Sequence, residues 1–137
     1  MATVVRLRVS EVTHHGWDVR VAFDPTATLL PAAVDLLIDH SGFFFAYIAK
    51  AGALGGRTAT IALETTDPVR SFGLAITDAV TLSDTRPSDP DATLCLPAES
   101  WLRLTYGRLA PARTPPAVTL TGDALTLDDL RRVFPGI

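Results

Sequence analysis

The stretch Arg8-Val9-Ser10-Glu11-Val12-Thr13-His14-His15-Gly16-Trp17-Asp18 carries two of the chain's three histidines and two carboxylates. Wound as a helix, it sets Arg8, Glu11, His15 and Asp18 on one stripe, because side chains three and four residues apart share a face. Glu11 and His15, at i and i+4, form a carboxylate–imidazole pair that can converge on one small cation. Asp18 stands one turn beyond His15, where it can accept from the imidazole and orient it. An open zinc site uses three protein ligands plus water, and this stretch supplies two. The same spacing also describes a surface pair worth a few tenths of a kcal/mol.

The elements around this stretch read in two ways. As a helix, residues 4–22 carry an apolar stripe of Val5, Val9, Val12, Gly16 and Val19 beside the polar one. As strands, Val5, Leu7, Val9 and then Val19, Val21, Phe23 alternate about a His14-His15-Gly16 turn. Asp24-Pro25 ends the element. Pro31 suits the first turn of a second helix, residues 31–49, with Val34, Leu37, Ile38, Phe44, Phe45 and Ile48 on its apolar face. Three consecutive phenylalanines, 43–45, cannot all face one way, so one ring should be exposed or line a cavity.

From Arg57 the period changes to two. Residues 58–65, 72–76 and 80–82 read as a meander, and 92–96 and 118–121 as further strands. Pro97 opens a third helix that Gly107 ends, with Trp101 and Tyr106 in its core face. Thr126 caps a last helix with Asp128 and Asp129 in its first turn. The order predicts an α+β fold: a mostly antiparallel sheet covered by helices on one face.

Composition narrows the function. The chain has 137 residues, 47% of them hydrophobic and 20% charged, and a mean hydropathy of +0.26. That length suits one domain with a real core, and the apolar balance leaves apolar surface for a partner. A net charge of −3 without a basic run argues against nucleic acid. No stretch approaches the roughly 20 apolar residues of a membrane span, and no signal peptide opens the chain, so the expected compartment is the cytoplasm. Cys95 is the single cysteine, which excludes an intrachain disulfide; its apolar neighbours suggest a buried, inert thiol.

Glu11 to Asp18 resembles the Glu-x-x-x-His-x-x-Asp signature of mycothiol-dependent maleylpyruvate isomerases and their actinobacterial relatives. Ala92-Thr93-Leu94, Pro97-Ala98-Glu99, Trp101-Leu102-Arg103-Leu104, Tyr106-Gly107-Arg108-Leu109, Val118 to Gly122, Leu127-Asp128-Asp129-Leu130 and Val133-Phe134-Pro135-Gly136 follow in the family's order. The resemblance implies a DinB-like bundle that binds a divalent metal, usually zinc, joined to a sterol-carrier-like α+β domain. Residues 1–24 would be the bundle's last helix and residues 25–137 the C-terminal domain. Residues 4–22 are then helical, and Glu11 and His15 take metal-ligand positions. The family's third ligand is a histidine on an earlier helix outside this sequence. Neither His14, about 100° round the helix from His15, nor His40 replaces it.

The implied chemistry is that of a cis-trans isomerase or thiol transferase using zinc and mycothiol. The metal holds the thiol as thiolate, the nucleophile. Arg108 would be the catalytic cation on the substrate's carboxylates, suited by its bidentate fork; its structural alternative is a helix C-terminal arginine on terminal carbonyls. Expected partners are a small-molecule substrate or ligand and a second chain joined through residues 4–22, which would pool two Glu11/His15 pairs. The alternative is a sterol-carrier-like module without enzymatic activity that binds a small hydrophobic ligand or a partner protein.

Overall fold

A computed structural model describes residues 2–137. It opens with helix α1, Thr3–Phe23. A short helix α2, Pro31–Leu37, follows, with Pro31 in its first turn as expected. The predicted long second helix does not continue. Residues Ile38–Phe44 tighten into a 3₁₀ segment before α3, Phe45–Ile48. Gly42 sits where a Cβ would lie 2.8 Å from the Leu82 side chain, so the chain bends there to let a strand approach.

Strands β1 (Ala59–Thr66), β2 (Arg70–Ile76), β3 (Val80–Ser83), β4 (Ala92–Pro97) and β5 (Thr119–Thr121) form one sheet in the order β3-β2-β1-β4-β5. Pairs β1–β2, β2–β3 and β4–β5 are antiparallel, and β1–β4 is parallel. The α+β class and the largely antiparallel sheet are as expected. Helix α4 is Ala98–Thr105 and α5 is Leu127–Val133. Thr126 and Asp129 close α5 with a reciprocal capping box.

Period-2 alternation decides the sheet's inner face. Ile61, Leu63, Leu74, Ile76, Leu94 and Leu96 are all buried. Over them lie the edge-packed rings of Phe45, Trp101 and Phe134, with centroids 5.0–6.0 Å apart. The same alternation turns Cys95, between buried Leu94 and Leu96, to the other face. The thiol is exposed, contrary to the buried thiol its apolar neighbours suggested.

Helix α1 buries an unexpected side. Ser10, Thr13, His14, Trp17 and Val21 face the domain, while Val12, Val19 and Phe23 are 69%, 63% and 87% exposed. Trp17 anchors the contact: its indole N–H donates to the Ala27 carbonyl (2.7 Å), and the Arg103 guanidinium lies 5.1 Å from its ring centre. Burying an aromatic ring of about 150–250 Å² contributes about 4–6 kcal/mol before ordering costs. That ring, with its hydrogen bond to Ala27, fixes which side of the helix faces the domain. Trp17 and Val21 belong to the same apolar cluster as the sheet's inner face.

Candidate functional site

Arg108 reaches α1 because of how α4 ends. Gly107 adopts φ +70°, and its N–H bonds to the Leu104 carbonyl while that of Arg108 bonds to the Arg103 carbonyl. This double closure is the glycine-dependent helix stop of a Schellman motif. A Cβ at position 107 would also fall 2.6 Å from Gly136 and the Pro135 carbonyl, so the tail seals the turn. The reversed chain sends Arg108 back towards α1.

There the guanidinium clasps Asp18. Nε donates to Oδ1 and Nη2 to Oδ2, both at 2.8 Å, and Nη1 donates to the Tyr106 carbonyl at 2.9 Å. The hydrogen bonds from Arg108 hold the Asp18 carboxyl below the usual carboxylate range. His15 Nδ1 lies 3.4 Å from Asp18 Oδ2, so Asp18 serves both the arginine and the imidazole. Glu11 is occupied from the other side, accepting from Arg8 at 2.8 Å.

His14, beside His15, is nearly enclosed. Its Nδ1–H donates to the Ser10 carbonyl (2.8 Å), Nε2 lies 3.3 Å from the Leu102 carbonyl, and the ring stacks on Tyr106 at 4.1 Å. Burial pushes its pKa down, against the pull of the two carbonyls, and burial pushes the Tyr106 hydroxyl up.

Beneath these groups lies an ion pair that positions them. Arg103 and Glu99 are both largely buried and bond bidentately, at 2.9 and 2.8 Å. Burial raises the Glu99 pKa, but hydrogen bonds from Arg103 and Ser100 overcome it and hold the carboxyl below its ordinary value. Arg103 also donates to the Arg113 carbonyl (3.1 Å), and Glu99 accepts from the Leu29 N–H (3.3 Å). One buried pair thus ties α4 to the segments on either side of it.

Above this pair lies a cavity of about 500 Å³ between α1 and the 43–48 segment. Leu7, Phe43, Phe44, Tyr47, Ile48 and Ile137 make its apolar walls. Glu11, His14, His15, Tyr106 and Arg108 border it with polar groups. The phenylalanine triplet divides as its crowding required: Phe45 enters the core, and Phe43 and Phe44 line the cavity.

The structure therefore brings Glu11, His15 and Arg108 to one cavity. The Asp18–Arg108 clasp and the enclosure of His14 were beyond sequence reasoning, since both depend on contacts 88 and 90 residues apart. Metal fits less well. Among the described residues no three His, Cys, Asp or Glu side chains group closely enough to hold a metal ion. Glu11 and His15 supply two donors, each engaged by a neighbour, and a single chain does not complete a zinc centre.

No protein-family model matches this chain, and no curated protein does. Solved structures do. The stereoselective inverting sec-alkylsulfatase Pisa1 from Pseudomonas sp. is similar with TM-score 0.54 and 18% identity, over 67% of this chain and 16% of that one. A double mutant of the same enzyme gives 0.53 and 18% over the same shares. A UbiJ-SCP2 ubiquinone synthesis protein gives 0.49 and 13% identity, over 77% of this chain and 92% of that one. The alkylsulfatase likeness shows a shared fold; the chain spans about a sixth of that enzyme's length.

Proposed function

We propose that this chain is a sterol-carrier-like binding module that takes a small, mainly apolar ligand between α1 and the 43–48 segment. The observation that carries this reading is the cavity of about 500 Å³ walled by Leu7, Phe43, Phe44, Tyr47 and Ile48. Its size falls in the range of small-molecule sites, roughly 300–1,000 Å³, and its few polar groups gather where they can fix orientation. The isomerase reading needs zinc and mycothiol, and the donors on this chain stop short of holding the metal. The test is titration with the neutral fluorophore N-phenyl-1-naphthylamine. Wild type should bind with blue-shifted, enhanced emission, and Leu7→Trp, which fills the cavity from α1, should weaken binding at least tenfold. Equal binding by both would refute the reading.

A second reading concerns α1, and one observation favours it. Val5, Val9, Val12, Gly16, Val19 and Phe23 recur at spacings of four and three, an unbroken heptad seam. All but the half-buried Val9 face solvent, and nothing lies within 4 Å of where a Cβ at Gly16 would stand. The seam is about 27 Å long at 1.5 Å per residue. Every other helix among the described residues has eight residues or fewer, so within this chain only another α1 matches that length. The occupant we propose is a second copy. Sedimentation over a concentration series should show a reversible dimer that Val12→Lys abolishes. A monomer at every concentration would overturn it.

A further inference from the structure

The charges around the cavity are already spoken for. Among the described residues Arg108 is its only guanidinium, and Asp18 covers two of its nitrogens while the Tyr106 carbonyl takes the third. A ligand carboxylate would have to compete with a preformed bidentate partner for that cation. It would also face Glu11, which lines the same space. A ligand ammonium fares no better, because Arg108 borders the cavity and Glu11 is engaged by Arg8. His15 differs from both. With Nδ1–H directed at Asp18, its Nε2 presents a lone pair, and among the described residues no group donates to it. Arg108, which shares Asp18 Oδ2 with His15, keeps one N–H on each of Nη1 and Nη2 beyond those used on Tyr106 and Asp18. The polar end thus offers one acceptor and neighbouring donors, with no uncompensated charge.

From this geometry we infer that the cavity selects an uncharged amphiphile whose single hydroxyl donates to His15 and accepts from Arg108, over carboxylates and amines of the same length. The inference rests on the ligand-binding reading and names the chemistry of the ligand's head. Phe43, Phe44 and Ile48 take the apolar body, and the hydroxyl satisfies both polar neighbours without displacing Asp18. Asp18 is then a positioning residue: by clasping Arg108 it keeps the site electrically neutral.

The experiment is displacement of bound N-phenyl-1-naphthylamine by octan-1-ol, octanoate and octylamine at pH 7.5. Octan-1-ol should displace the probe at a concentration at least tenfold below either charged analogue. In Asp18→Asn the arginine fork is released, and octanoate should gain about tenfold relative to octan-1-ol. The double variant Asp18→Asn/Arg108→Gln should lose that gain, and circular dichroism confirms that each variant is folded. Octanoate or octylamine ahead of octan-1-ol on wild type overturns the inference, as does an unchanged preference in folded Asp18→Asn. Probe binding that none of the three displaces also overturns it and leaves the cavity's apolar reading standing. Failure of the probe itself to bind removes both.

Discussion

Arg108 and Asp18 lie 90 residues apart and meet fork to fork, with both N–O distances at 2.8 Å. The clasp joins the turn after α4 to the surface of α1. Because the Asp18 pKa is lowered in the folded state, its contribution is fully present above the ordinary aspartate range and fades as pH falls through the lower, folded value. Asp18 is partly exposed, so screening limits the effect to about 0.5–1 kcal/mol. Urea unfolding at pH 7 should show Asp18→Asn destabilised by that amount, with the difference vanishing in acid. A difference that does not shrink as the pH is lowered would contradict the assignment.

The Glu99–Arg103 pair is a different case because it is buried. Removing one partner leaves the other's charge without compensation, at a cost of about 3–5 kcal/mol. Arg103→Met should fall in that range by denaturant unfolding, and should loosen Trp17, whose ring the guanidinium covers. Replacing both, Glu99→Leu with Arg103→Met, should recover part of the loss. A single variant within 1 kcal/mol of wild type would show that the pair is not closed in solution.

His14 predicts an acid-side dependence of its own. Arg108, from the turn after α4, and Asp18, from α1, act on it with opposite signs, and burial dominates. Its folded pKa lies below the ordinary 6.5, so the unfolded chain binds the extra proton first. Stability is complete above pH 6.5 and declines as pH falls from there towards the folded value. His14→Gln should lower stability at pH 8 and remove the slope between pH 6.5 and 5. An unchanged slope would place the titration elsewhere.

Cys95 gives the simplest check. An exposed thiol on the outer sheet face should react with a small disulfide reagent in the native protein, one equivalent per chain and without denaturant. Protection until unfolding would mean that this face is covered.

Much of the fold was legible because local rules agreed with the tertiary answer. Thr126 with Asp129, Gly107, Pro31 and the alternation of residues 58–65 each marked an element that the structure contains. The second helix was misjudged because its apolar spacing ran through Ser41 and Gly42, where the approach of Leu82 bends the chain. Residues 4–22 were ambiguous between helix and strand, and they form a helix whose buried side is Ser10, Thr13, His14 and Trp17 rather than its valine stripe. Periodicity ranks faces by hydrophobicity, while a single tryptophan and a buried histidine mark the side that docks here. Cys95 was misread for a related reason: apolar neighbours signal burial of a strand, yet only every second residue faces inward. Of the site, the Glu11/His15 stripe and Arg108 were visible as residue types. Their gathering at one cavity was not, since it depends on the turn at Gly107 and on Asp18 reaching across.

The distance along the chain between α1 and its anchors has a consequence for biosynthesis. His14 faces the Leu102 carbonyl, Trp17 lies under Arg103, and Asp18 holds Arg108, so α1 cannot complete its docking until residues 102–108 have left the ribosome. At about 5–20 residues per second that is a wait of several seconds. The β1–β2–β3 hairpins close locally in that time. Helix α1 meanwhile has only near-sequence partners such as the Ala27 carbonyl under Trp17, and its valine seam stays uncovered. A chaperone can therefore reach α1 during this interval, and translation through Arg108 ends that exposure on one side only.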